Sequence, residues 1–122
     1  MTIAQLHGIR ETSGKGDTPA RARQTARLVS MIKTVWPGNE PLAVCGDFNV
    51  LPDSAMFETL GALGLSDLVT AGGHSDTRTS HYTKPGRFAD YMLVTADAGV
   101  LSFDVAAAPE VSDHRALVLD LA

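Results

Sequence analysis

Leu42-Ala43-Val44-Cys45-Gly46-Asp47-Phe48-Asn49 is the stretch on which the reading of the fold turns. Its first four residues are apolar without a break, and in so short a run that pattern marks a strand buried on both faces. Glycine interrupts the run, and Asp47 and Asn49 follow at its C-terminal end, where polar side chains can stand clear of a sheet. The one cysteine, Cys45, sits inside the run as a small core filler; with no second thiol an internal disulfide is impossible.

Upstream, residues 2–7 alternate enough to predict a strand, which Gly8 ends. A polar, glycine-rich loop runs to Asp17, and Thr18-Pro19 then supplies an N-cap and a first-turn proline for a helix. Ala22, Ala26, Val29, Ile32 and Val35 follow at helical spacing until Trp36-Pro37-Gly38 stops the run. Arg21, Arg23 and Arg27 are assigned to the solvated side of that helix. Gly14-Lys15-Gly16-Asp17-Thr18 has the look of a phosphate loop, but the spacing from Gly8 is wrong and Lys15 is followed by glycine, so the Walker pattern fails.

Downstream, Asp53 or Ser54 is placed to cap a short helix with Met56, Phe57, Leu60 and Leu63 inward, closed by Gly61 and Gly64. Residues 70–87 read as a long polar connection carrying His74, Arg78, His81 and Lys84, and long connections in compact domains are often functional. Strands are predicted at 90–95, 100–106 and 116–121. This order predicts a mixed α/β layer with helices on one sheet face, and a second face that few remaining elements could cover.

At 122 residues, 44% hydrophobic and 20% charged, the chain has room for one globular domain. The formal net charge of −4 provides no overall positive field to draw it onto nucleic acid or an anionic membrane. No run approaches the ~18 apolar residues of a membrane span, and the expected location is cytoplasmic.

Three acidic clusters stand at strand ends: Asp47 with Asn49, Asp90 within Arg87-Phe88-Ala89-Asp90-Tyr91, and Asp113 in Ser112-Asp113-His114. Carboxylate and amide oxygens are hard ligands suited to Mg²⁺, and histidine adds proton chemistry near neutral pH. Singly, each cluster is as well explained by an Asx-type turn or a loop closing on itself. His74 and His81 match no usual zinc spacing, and no serine elbow, zinc-protease helix or cysteine nucleophile suggests another hydrolase.

As an ordered set, Gly-Asp-Phe-Asn, then Arg-x-x-Asp-Tyr opening a strand, then Ser-Asp-His opening the last strand resembles the C-terminal motif series of the endonuclease/exonuclease/phosphatase (DNase I-like) superfamily. The resemblance runs from His7 to the end. It implies a four-layer α/β/β/α sandwich, of which this chain would supply about one sheet layer and its covering helices. It further implies that residues 1–122 are the C-terminal portion of a single such domain roughly twice this length. Elements of the first half, among them a metal-binding glutamate, have no counterpart here.

Motif matching assigns Asp47 and Asn49 to positioning the attacking water, contacting phosphate and ligating metal, Asp113 to holding the cation, and His114 to acting as base, oriented by Asp90. His7 would be the acid for the leaving group, although Gln5 stands where many members have asparagine. The implied cofactor is Mg²⁺ or Mn²⁺, and the implied substrate is a phosphate ester: nucleic acid, a phospholipid head group or a small phosphoester. An uncovered sheet face would invite self-association. The competing expectation is a non-catalytic fragment or interaction module that keeps the motifs without completing the metal site.

Overall fold

The computed structural model describes residues 1–122. In chain order these form β1 (Thr2–Gln5), α1 (Pro19–Val35), β2 (Leu42–Asp47), α2 (Met56–Gly61), β3 (Leu65–Asp67), α3 (Leu68–Ala71), β4 (Asp90–Thr95), β5 (Val100–Ala106) and β6 (Ala116–Leu121). One mixed sheet has the order β1-β2-β4-β3, with β1 parallel to β2 and the other pairs antiparallel. β5 and β6 form a separate antiparallel pair. β3 was not foreseen: its three residues are too few to display an alternation.

The strand and helix chemistry of the core follows the sequence closely. Leu42, Ala43 and Val44 are all buried, as a two-sided strand requires. Leu42 and Val44 join Tyr91 and Leu93 of β4, Leu28 and Ile32 of α1 and Leu60 of α2 in one cluster. Ala43 and Val94 lie on the opposite face, against Leu119 and Leu121 of β6. The β5–β6 pair thus begins a second β layer, so the far face is better covered than the element count implied. Toward β1 that face stays open: Ile3, aligned with Ala43, is 68% exposed.

α1 is capped as expected, with Thr18 Oγ1 accepting from Arg21 N at 3.2 Å and Pro19 in the first turn. Its buried stripe, however, is Arg21, Thr25, Leu28 and Ile32, whereas Ala22, Ala26 and Val35 are exposed. The helix is rotated by about one residue from the predicted apolar face, roughly 100°. Two polar residues tolerate burial because most of their groups find partners, Arg21 Nε being the exception. Thr25 Oγ1 donates to Arg21 O at 3.0 Å. Arg21 Nη1 and Nη2 donate to Gly16 O at 2.6 Å and Gly14 O at 2.8 Å. Arg21 is therefore not a solvated charge; it draws the 8–17 loop around itself.

Two glycines let that loop and β1 approach the end of β2. Gly46 has φ +132°, and a Cβ there would lie 2.1 Å from Leu6 O; a Cβ on Gly8 would lie 2.2 Å from Phe48 O. Gly46→Ala should therefore cost on the order of 3 kcal/mol, from positive-φ strain and the backbone clash together. Thermal unfolding should show a fall in Tm of roughly 10 °C; an unchanged Tm would mean that the close crossing of β1 and β2 is not maintained in solution.

The loop is tied to α2 through Asp17, whose carboxylate accepts from Ala55 N at 2.9 Å and Ser54 Oγ at 2.6 Å. Those bonds hold the Asp17 carboxyl below its ordinary value. A depressed folded-state pKa means stability that is complete above the unfolded value and lost as pH falls through the folded one. Asp17→Ala should melt a few degrees below the parent at pH 7, and the gap should close as pH falls below about 4. A gap that stays constant down to pH 2 would contradict this.

Candidate active site

β2 and β4 pair side by side and antiparallel, so that Asp47 at the end of β2 lies directly opposite Asp90 at the start of β4. Beneath them the intervening apolar residues act as pins. Phe48 is 2% exposed and stacks on Tyr91 at 5.6 Å between ring centroids. The Tyr91 hydroxyl donates to Val50 O at 2.8 Å. With Phe48 held in the core, Asp47 and Asn49 on either side are delivered to the surface. Asp47 Oδ1 accepts from Asn49 N at 2.9 Å, and Asn49 adopts φ 55°, a left-handed conformation that asparagine tolerates better than most residues. Asn49 Nδ2 donates to Gly8 O at 3.1 Å, so its Oδ1 is the end available to a ligand.

His114 completes the centre from the segment before β6. Its Nδ1 lies 2.8 Å from Asp90 Oδ2 and 3.0 Å from Oδ1. Its Nε2 lies 2.8 Å from Arg78 Nη1. A guanidinium can only donate, so Nε2 is the acceptor and Nδ1 carries the proton it donates to Asp90. Burial pushes the Asp90 carboxyl up, and the bond to His114 opposes that only in part.

His7 Nε2, at the end of β1, is 3.8 Å from Asp47 Oδ2, and so is His114 Nε2. Asp47 therefore sits between two imidazoles, one 84% exposed and one 33% exposed. Asp113 Oδ1 is 3.8 Å from His114 Nε2, while its Oδ2 accepts from Arg78 at 3.1 Å. The side chains brought within metal-binding range of one another are Asp47, Asp90 and His114, with ligand atoms all within 4.8 Å. Asp113, which motif matching placed with Asp47 and Asn49 as a ligand, stands beside that group of carboxylates and imidazole, turned toward Arg78. The oxygen donors fit a hard divalent cation in type, although Asp90 is already engaged by His114, and the set falls short of the six oxygens that Mg²⁺ prefers.

What holds His114 over Asp90 is the segment Thr77-Arg78-Thr79, threaded between the two motif strands. Thr77 Oγ1 accepts from Ala89 N at 3.0 Å and Asp90 N at 3.3 Å. Arg115 N donates to Thr77 O at 2.9 Å, and Thr79 N to Asp113 O at 3.1 Å. Arg87 adds bonds to Arg78 O and Thr79 O, and its Nε donates to Asp76 Oδ2 at 2.7 Å. All three of Thr77, Arg78 and Thr79 are buried, inside what the sequence presented as a polar loop. Arg78 reaches the centre of the site; in the sequence its only signal was its place in the connection leading to the Arg87-to-Tyr91 motif. His74, by contrast, packs edge-on against Phe103 at 5.5 Å, and His81 is exposed.

His7, Asp47, Asn49, Arg78, Asp113 and His114 line one open cleft of about 1110 Å³. Arg10, Lys15, Arg21, Arg78 and Lys84, half of the chain's ten lysines and arginines, border it against three carboxylates, Glu11, Asp47 and Asp113, so cations outnumber anions in the cleft on a chain of net charge −4. Lys15 is committed to structure: Nζ donates to Gly86 O at 2.6 Å and Phe88 O at 2.5 Å, closing the 8–17 loop onto the 82–88 loop.

The family model described as "Endonuclease/Exonuclease/phosphatase family" matches residues 13–114. The chain belongs to that family. Its members are usually metal-dependent phosphoesterases, and Asp47, Asp90 and His114 form a group of a kind that can hold a metal ion. A crystal structure of an endonuclease/exonuclease/phosphatase from Bacteroides vulgatus has the same fold, with TM-score 0.61 at 24% identity. The match covers 83% of this chain and 44% of that one. No curated protein matches the chain. No helix is long and apolar enough to cross a membrane.

The hydrogen-bond arithmetic at His114 can be measured directly. Long-range ¹H–¹⁵N spectra at a pH where the ring is neutral should show a protonated Nδ1 and a bare Nε2. Asp90→Asn combined with Arg78→Ala should move the ring toward a mixture of tautomers, because both groups that select Nδ1–H are gone. A parent chain with Nε2–H dominant would contradict the Asp90–His114–Arg78 chain.

Proposed function

We propose that residues 1–122 form the C-terminal portion of a phosphoesterase domain using Mg²⁺ or Mn²⁺, which hydrolyses a phosphate ester by an activated water. The single observation that carries this reading is the line from Asp90 through His114 to Asp47, in which a buried carboxylate fixes the tautomer and sets an unprotonated Nε2, accepting from Arg78, 3.8 Å from a second carboxylate. A water between Asp47 and Nε2 would give its proton to His114, with Asp90 stabilising the imidazolium that forms. Asp47 and Asn49 Oδ1 orient that water and the scissile phosphate. His7, exposed on the other side of Asp47, is placed to protonate the leaving oxygen. Asp47, Asn49 and Asp113 would hold the cation, which when bound polarises the phosphoryl group and offsets its developing charge.

The cationic cleft supports an anionic substrate, whether nucleic acid, a phospholipid head group or a small phosphoester. The shortfall of metal donors supports a second reading, a module that keeps the motifs without turning over substrate. Assays with bis(p-nitrophenyl) phosphate and p-nitrophenyl phosphate separate the two. On the first reading, hydrolysis requires Mg²⁺ or Mn²⁺, stops with EDTA, and falls at least about 100-fold in His114→Ala and in Asp47→Ala. Activity retained in both variants would remove the assigned roles. A chain that neither hydrolyses these esters nor takes up Mg²⁺ by calorimetry would establish the second reading.

A further inference from the structure

Arg78 is 5% exposed, yet only one of its three guanidinium nitrogens is used. Nη1 donates to Asp113 Oδ2 at 3.1 Å and to His114 Nε2 at 2.8 Å. Nε is buried with no partner at all. An unmet donor on a charged, buried group is costly, about 1–3 kcal/mol or more, and is kept only where something else recovers it. The backbone carrying this side chain is fixed from both sides by Arg87 and Arg115, each donating to Arg78 O. One face of the guanidinium is covered by the Tyr82 ring, 4.1 Å from the centroid. The backbone is therefore set while the side chain can still turn, and its Nε/Nη2 edge, the side that takes two oxygens of a planar or tetrahedral anion in parallel, is left without protein partners.

We propose that Arg78 is the phosphate-binding residue of the cleft and that its engagement releases His114. The inference rests on the phosphoesterase reading above. In the substrate-free chain the lone pair of His114 Nε2 is occupied by Arg78 Nη1, so it cannot also accept from a water. A phosphoryl group taking the Nε/Nη2 edge forms charge-assisted bonds stronger than the bond to a neutral ring, and draws the guanidinium off Nε2. The base is then free only when a phosphate is in place. Arg21 also keeps an unpartnered buried Nε, so what sets Arg78 apart is an unpartnered Nε/Nη2 edge on a side chain that already touches Asp113 and His114 in the cleft.

The test is a titration of the ¹⁵N-labelled, metal-free chain with inorganic phosphate in EDTA, followed at Arg78 Nε–H and His114 Nε2. Saturable movement of both signals supports the proposal. Arg78→Lys, which keeps the charge but cannot present two parallel donors, should bind phosphate at least about tenfold more weakly and raise KM more than it lowers kcat. Absence of saturable binding, saturable binding with the Arg78 signal unmoved, or equal affinity in Arg78→Lys would each overturn it. The two readings fail separately. Phosphate bound through Arg78 by a chain without hydrolytic activity removes the hydrolysis and keeps the clamp; hydrolysis with unchanged kinetics in Arg78→Lys removes the clamp and keeps the hydrolysis.

Discussion

The register of β2 against β4 is the constraint on which the site depends. It sets Asp47 opposite Asp90, and because side chains alternate strictly along a strand, a slip of one residue would turn one partner out of the cleft and one core residue into water. The register is held from below by burial. Val44 opposite Leu93 and the Phe48–Tyr91 stack are all on the helix-covered side, and each fully buried side chain of this size contributes about 1.5–3 kcal/mol. The same side chains that make the strands buried also decide where the carboxylates emerge.

Around that centre, the arginines do structural work that the net charge hides. Arg21 gathers carbonyls of the 8–17 loop, Arg87 gathers those of the 78–82 segment, and both act as multi-pronged donors where the backbone has no sheet or helix to join. Lys15 then clasps the two loops together. The result is a cleft whose walls are irregular in backbone yet specific in shape, lined by cations of which several are already committed.

The geometry also refines the family's motif logic. Sequence matching sorts Asp47, Asn49 and Asp113 into a ligand set and Asp90 into an orienting role. In space, Asp90 and Asp47 flank His114, and Asp113 is turned toward Arg78. Arg78, from the connection between α3 and β4, stands beside His114 and gives the cleft a cation at that point. The Bacteroides vulgatus structure of the same fold is the longer chain, 44% of it being matched.

The sequence alone determined the strands that are apolar throughout, the capped helix over 19–35, and the motif order that names the family and brings Asp47, Asn49, Asp90 and His114 into one hypothesis. Those features are local: they follow from period, caps and spacing, which a linear chain displays. Tertiary structure alone decided the buried face of α1, the short strand β3, the separate β5–β6 pair and the place of Arg78. Each of these depends on partners distant along the chain, such as Gly14 and Gly16 for Arg21, or Asp113 and His114 for Arg78. A charged side chain reads as solvated until the carbonyls and carboxylates that receive it are known, and only the fold supplies them.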